Sequence, residues 1–254
     1  MPWNPSAYLA FGDSRTRPVH ELLARVPLEM PARIVDLGCG PGNSTAAIAA
    51  RWPSAHIIGL DNSREMLARA ANAGLEAEWI EGDIATWRPD GAVDLVFANA
   101  SLQWVANPED VARRLFSCVA PGGAFAFQVP ANLSGPPHTL IDRALDETGL
   151  RGVVPPGDLS RHVLPAADYY RILAPDAREV DVWDTEYLQS LEGADAVFRW
   201  IEGTALVPIL AALAPQDRER FTARLKPLLR AHYPVAADNR TLMPFRRRFV
   251  VARK

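Results

Sequence analysis

Short apolar runs and amphipathic stretches succeed one another through the first half of the chain. Arg33-Ile34-Val35-Asp36-Leu37, Ala55 to Leu60, Ala77 to Ile80, Val93 to Ala98 and Ala124 to Val129 are nearly continuous apolar blocks. Continuous rather than alternating apolarity predicts strands buried on both faces, as in the middle of a parallel sheet. The stretches between them carry helix signals. Asn43 stands as a cap before a helix from Ser44 to Arg51, with Pro53 just past its end. Asn62, followed by Glu65, has the spacing of a capping box and opens a helix to about Ala73, which Gly74 stops. Asn107-Pro108-Glu109-Asp110 combines cap, first-turn proline and acidic first turn for a helix to about Val119, ended by Pro121-Gly122-Gly123. Strands and helices alternating at this spacing predict a doubly wound α/β fold.

The second half reads differently. Leu133 to Pro165 is rich in proline and glycine around one helix, Thr139 to Thr148. A helix follows from Ala166 to Ala174, then an alternating strand from Glu179 to Tyr187. Ala194 to Tyr233 is helical with breaks at Pro208, Pro215 and Pro227, and Leu242 to Ala252 is a closing strand. Two late strands around a helical insertion predict a mostly parallel, seven-stranded sheet with an antiparallel edge and a helical lid. The expected organisation is a single domain: a ligand-binding core over about 30–130, lid and insertions over about 131–240, and a closing strand over 241–254.

Composition narrows the function classes. The chain has 254 residues, 48% of them hydrophobic and 22% charged, enough for a large core without staples. A formal net charge of −3 gives no basic field for nucleic acid or anionic lipid. The two cysteines, Cys39 and Cys118, form no CxxC pair and read as reduced thiols, and no metal-ligand spacing stands out. No signal-peptide pattern begins at Met1 and no run approaches a membrane span, so the expectation is a cytoplasmic protein without membrane contact.

The segment Asp36-Leu37-Gly38-Cys39-Gly40-Pro41-Gly42 carries the most chemistry. Glycines between a strand and a helix let the backbone approach a ligand closely. A dinucleotide fingerprint would place its third glycine one position later, and no Gly-Lys-Ser/Thr follows to make a P-loop. Asp61 ends the second apolar run, Asp83 follows the third and Asn99 the fourth. Each falls at the carboxyl edge where open α/β sheets bind ligands.

In this pattern the chain resembles the class I S-adenosylmethionine-dependent methyltransferases, which have a Rossmann-like fold. The resemblance implies that S-adenosylmethionine is the cofactor. Asp36 with Gly38, Gly40 and Gly42 would face its methionine end. Asp61 would take both ribose hydroxyls, with Asn62 beside it, and Asp83 and Ile84 would read and pack the adenine. Asn99, Ala100 and Ser101 complete the expected set. Methyl transfer from a sulfonium is a direct displacement that needs alignment and dryness, and no protein nucleophile.

Trp3-Asn4-Pro5-Ser6-Ala7-Tyr8, Asn99-Ala100-Ser101-Leu102-Gln103-Trp104 and Phe249-Val250-Val251-Ala252-Arg253 extend the likeness over the whole chain. Together with the glycine loop they resemble the trans-aconitate methyltransferases. That resemblance implies O-methylation of one carboxylate of a small tricarboxylic acid. An ionised carboxylate needs no general base, so no catalytic residue is expected. Its companion carboxylates need cations. In Phe245-Arg246-Arg247-Arg248-Phe249 the period of two puts Arg247 on the face of Phe245 and Phe249, where its planar fork suits a carboxylate. Tyr8, Arg17, Trp104 and Arg247 are the candidate acceptor residues. Trp200, His138, His162 and Tyr169 read as packing. Competing readings are a methyltransferase for another small or carrier-bound acid and a non-catalytic cofactor-binding protein. A small anionic carboxylate is the expected partner, without nucleic acid, and a monomer the expected state.

Overall fold

The computed structural model describes residues 12–132, 135–155 and 162–254. Its strands are β1 (Arg33–Leu37), β2 (His56–Asp61), β3 (Glu78–Glu81), β4 (Val93–Asn99), β5 (Val119–Pro130), β6 (Glu179–Glu192) and β7 (Arg240–Arg253). Its helices are α1 (Gly12–Arg25), α2 (Asn43–Arg51), α3 (Arg64–Ala71), α4 (Pro108–Ser117), α5 (His138–Glu147), α6 (Ala166–Leu173), α7 (Ala196–Glu202), α8 (Val207–Ala212) and α9 (Pro215–His232). The strands form one sheet in the order β3-β2-β1-β4-β5-β7-β6.

The first five strands pair in parallel, with Val35 opposite both Ile58 and Val96. β7 returns antiparallel to β5, setting Gln128 opposite Phe249 and Pro130 opposite Arg247. The α/β expectation and the antiparallel strand are therefore observed. Because β2 and β4 lie on opposite sides of β1, the strand order reverses there. The crevice at such a reversal, at the carboxyl ends of the strands, is where open α/β sheets bind ligands. Asp36 and Asn99 lie at the carboxyl ends of β1 and β4, the two strands that meet at the reversal.

The chain clusters into two compact units, and β6 and β7 contribute residues to both. One is built mainly from residues 15–131, 162–185 and 247–254. It holds the parallel strands, and its core includes Val35, Leu37, Val96, Phe125, Phe127, Leu115 and Tyr169. Burying a side chain of this size stabilises by roughly 1.5–3 kcal/mol. Tyr169 packs edge-on against Phe127 with ring centroids 5.1 Å apart. The other unit, mainly residues 135–155 and 186–246, is largely helical. Ile141, Leu145, Trp200, Phe221, Leu225 and Met243 form its core, and Trp200 meets Phe245 edge-on. Trp200 and Tyr169 are thus packing residues, as read from the sequence.

Several local expectations change. No helix is predicted before β1, yet α1 runs through Pro18 and buries Val19, Leu22 and Leu23. The cap of α3 is Ser63, whose Oγ accepts from the Met66 N–H; Asn62 is exposed. α2 starts from Gly42 and α4 from Asn107, both left-handed and neither giving a side-chain cap. α9 passes through Pro227 without ending. Among the described residues no helix is long and apolar enough to cross a membrane and no cluster fit for a metal ion occurs.

Candidate functional site

The loop after β1 is fixed from below by β2. The N–H groups of Gly38 and Cys39 both donate to the Leu60 carbonyl, at 2.7 and 3.0 Å. Gly38, Gly40 and Gly42 all have positive φ, where a side chain is strained. At Gly38 a Cβ would also sit 2.3 Å from the Ser101 Cβ, so the loop after β1 and the turn after β4 touch there without room for one methyl group. Ser101 is buried and its Oγ donates to the Leu37 carbonyl at 2.7 Å. The same Cβ would meet the Ile84 Cδ1 at 3.4 Å. Gly38, Ile84 and Ser101, chosen from three separate turns, therefore converge. Gly42 has a different job. A Cβ there would meet Trp79, Leu75 and Ala70, so this glycine permits packing at the start of α2.

Asp36 is fully buried. Its Oδ2 accepts from Ser44 Oγ and Thr45 Oγ1, both at 2.7 Å, while its Oδ1 has no partner. Burial pushes the carboxyl up to about 6, and the Asp61 charge adds to this, while the two hydroxyls oppose it. A buried carboxylate oxygen without a donor is costly unless a ligand's N–H or cationic group completes it. Neither Ser44 nor Thr45 was singled out from the sequence, although Asn43-Ser44-Thr45 places two hydroxyls on the first turn of α2, within reach of β1.

Asp61 ties two turns together. Its Oδ2 accepts from the Gly40 N–H and its Oδ1 from the Ser63 N–H, each at 2.9 Å. Each oxygen keeps a further lone pair, so the half-buried carboxylate is held in one orientation and can still accept two hydroxyls. Asp83 is exposed and its Oδ1 accepts from the Ala85 N–H at 2.8 Å, which shapes the turn carrying Ile84. Arg114 closes that turn from α4, donating to the carbonyls of Ile84 and Trp87. Burial of the Cys39 thiol, with Asp36 and Asp61 nearby, drives its pKa far upward, which removes it as a nucleophile.

After β4 the backbone of Ala100 turns left-handed, with φ 54°. Its N–H donates to the Gln128 carbonyl, and its own carbonyl accepts from Gln103 Nε2 at 2.7 Å. The half-buried Asn99 accepts at Oδ1 from Gln128 Nε2 at 2.6 Å, and Gln128 Oε1 accepts from Arg247 Nη1 at 3.0 Å. Arg247 is buried at 5% exposure, whereas Arg246 is exposed and the half-buried Arg248 pairs with Asp184 through both Nε and Nη2. The period-two expectation is observed, and the unforeseen element is Gln128, a fully buried amide in an otherwise apolar strand. Trp104 is 40% exposed in the short turn after β4, and Arg17 is exposed on α1. Tyr8 lies outside the described residues.

A profile described as a methyltransferase domain matches residues 34–123. The chain is 45% identical to a protein named trans-aconitate 2-methyltransferase from Paracidovorax citrulli, over 99% of this chain and 98% of that one. It is 47% identical to one so named from Methylobacterium radiotolerans, again over 99% and 98%. The YcgJ protein of Bacillus subtilis aligns in structure over 94% of this chain and 98% of that chain, at a TM-score of 0.60 and 11% identity. A phosphoethanolamine N-methyltransferase 2 of Haemonchus contortus, solved in complex with S-adenosyl-L-methionine, aligns over 94% of this chain and 52% of its own, at 0.59 and 15%. At these identities the structures establish the shared fold.

Proposed function

The chain belongs to the family of trans-aconitate 2-methyltransferases, and on that premise we propose that it methylates one carboxylate of trans-aconitate, giving a monomethyl ester. The geometric observation that carries this reading is the buried Asp36 carboxylate, whose Oδ1 has no partner beside a glycine loop with no room for a side chain at Gly38. That arrangement fits the cationic methionine end of S-adenosylmethionine, whose ammonium group would supply the missing donor.

When bound, S-adenosylmethionine supplies an electrophilic methyl group: a bond forms from the acceptor's carboxylate oxygen to the methyl carbon as the carbon–sulfur bond breaks, and the electron pair stays on sulfur in S-adenosylhomocysteine. The protein's work is binding, orientation and exclusion of water. Asp36 and the backbone of Gly38 to Gly40 would hold the methionine end. Asp61, already oriented by two backbone N–H groups, would accept from the ribose hydroxyls. Asp83 and Ile84 would take the adenine, in a turn that Arg114 braces. Ala100 and Ser101 set the wall opposite Gly38, and Asn99 lies at the end of the Gln128–Arg247 chain.

No side chain need remove a proton, because a carboxylate acceptor is ionised at neutral pH. The acceptor is a small free acid in this reading. The net charge of −3 supports an acceptor other than nucleic acid, and the free thiols of Cys39 and Cys118 support a reducing, cytosolic compartment. This reading takes the chain to act as a monomer. The test is S-adenosylhomocysteine release by purified protein across a panel of di- and tricarboxylates. Trans-aconitate should give the highest kcat/KM, and turnover of other acids alone would refute the assignment.

A further inference from the structure

Gln128 sits fully buried between two groups of unequal character. Arginine only donates, so Arg247 Nη1, 3.0 Å away, fixes the amide oxygen of Gln128 toward itself. The Gln128 Nε2 must then point the other way, and it donates to Asn99 Oδ1 at 2.6 Å. With its oxygen occupied, Asn99 turns its Nδ2 away from Gln128. Asn99 is half-buried, and that nitrogen donates to nothing among the described residues. A neutral amide beside Asn99 could adopt either orientation, but one anchored on a guanidinium has only one.

We propose that Gln128 is a positioning residue that transmits the donor-only character of Arg247 to Asn99, so that Asn99 presents an N–H donor to a ligand carboxylate at the carboxyl edge of β4. This rests on the function proposed above, in which two carboxylates enter: one on the acceptor acid and one on the amino-acid end of the cofactor. In this proposal Arg247, with one Nη1 donor engaged by Gln128, acts on the carboxylate through the relay as well as through any donor of its own.

Gln128→Glu tests the relay with almost no change of volume. The glutamate keeps Arg247 as an ion pair but offers Asn99 only acceptors, so the Asn99 amide must turn over and present its oxygen to the ligand. Losing a hydrogen bond to a charged group should weaken the carboxylate ligand by about tenfold or more. A raised KM for trans-aconitate with kcat little changed assigns the donor to the acceptor acid. A raised Kd for S-adenosylhomocysteine, but not for 5′-methylthioadenosine, which lacks the amino-acid end, assigns it to the cofactor. Either result supports the relay. A folded variant in which KM and both Kd values match wild type overturns it. So does an equal loss for the two nucleosides, which would mark general damage. If Gln128→Glu does not fold, Asn99→Asp, at the half-buried end, must show the same selective loss, and unchanged constants there overturn the relay. Wild-type turnover of trans-aconitate is the control: its absence refutes the functional reading, whereas intact turnover with KM and both Kd values unaffected by Gln128→Glu refutes the relay alone.

Discussion

Replacing Asp36 by asparagine should make the ligand-free protein relatively more stable as pH rises, and make it worse at binding its cofactor. Burial disfavours the charge of this carboxyl and pushes its pKa up to about 6 in the folded chain, from an ordinary value of 3.8. A folded-state value above the unfolded one means the native chain retains the proton between those two values and the unfolded chain does not. Stability contributed by this group is therefore full below pH 3.8 and falls as pH rises through 6. The total penalty is about 3 kcal/mol, of which about 2 kcal/mol develops between roughly pH 4.5 and 8. In Asp36→Asn the amide oxygen can accept from Ser44 and Thr45 as Oδ2 does. The amide nitrogen left in the interior adds a cost, but that cost does not depend on pH. Urea unfolding of both proteins without ligand, at the two pH values, isolates the titrating part. The stability difference should move toward the variant by about 2 kcal/mol on going to the higher pH. Calorimetry at pH 8 should show S-adenosylhomocysteine binding weakened by about tenfold or more, the scale of a charge-assisted hydrogen bond. Parallel stability profiles for the two proteins would refute the raised carboxyl, and unchanged affinity would remove Asp36 from the cofactor site.

Other substitutions separate binding from scaffolding. Asp61→Ala removes an acceptor for two ribose hydroxyls and also frees the N–H groups of Gly40 and Ser63, so calorimetry should find cofactor affinity reduced by more than about 1.5–3 kcal/mol. Gly38→Ala meets Ser101 at 2.3 Å in a left-handed backbone and should destabilise by about 1–3 kcal/mol in urea unfolding, with binding lost even where the fold survives. Arg114→Ala releases the carbonyls of Ile84 and Trp87, and should raise the Kd for S-adenosylhomocysteine while leaving the KM of the acceptor acid nearly unchanged.

The sequence is easy to read where apolar residues run without interruption. β1, β2, β4 and β5 are such runs because both faces of each are covered, and their carboxyl ends mark Asp36, Asp61 and Asn99. α1 is hard to read from the sequence because Pro18 and its arginines mask the pattern. Yet Val19, Leu22, Leu23 and Val26 recur at helical spacing and all are buried. The capping box at Asn62 failed by one position, since Ser63 offers an equivalent oxygen to Met66. Pro227 predicts a break, but α9 is held by Phe221, Leu225 and Leu229 on one face, and tertiary packing outweighs one lost backbone bond. Gln128 left a signal, a polar residue in Ala124-Phe125-Ala126-Phe127-Gln128-Val129, but its partners come from two other strands. Pairings at a separation of 119 residues are set by strand order, which no local pattern carries. The same holds for Gly38 and Ser101: each belongs to its own motif, and only the pairing of β1 with β4 explains why they touch.

The most direct test of the central claim is mass spectrometry of the product formed from trans-aconitate and S-adenosylmethionine carrying a deuterated methyl group. The account predicts a single labelled monomethyl ester, formed together with S-adenosylhomocysteine and cleaved back to the acid by mild base. An unlabelled acid beside bound, unconsumed cofactor, or label at a base-stable position, would contradict it.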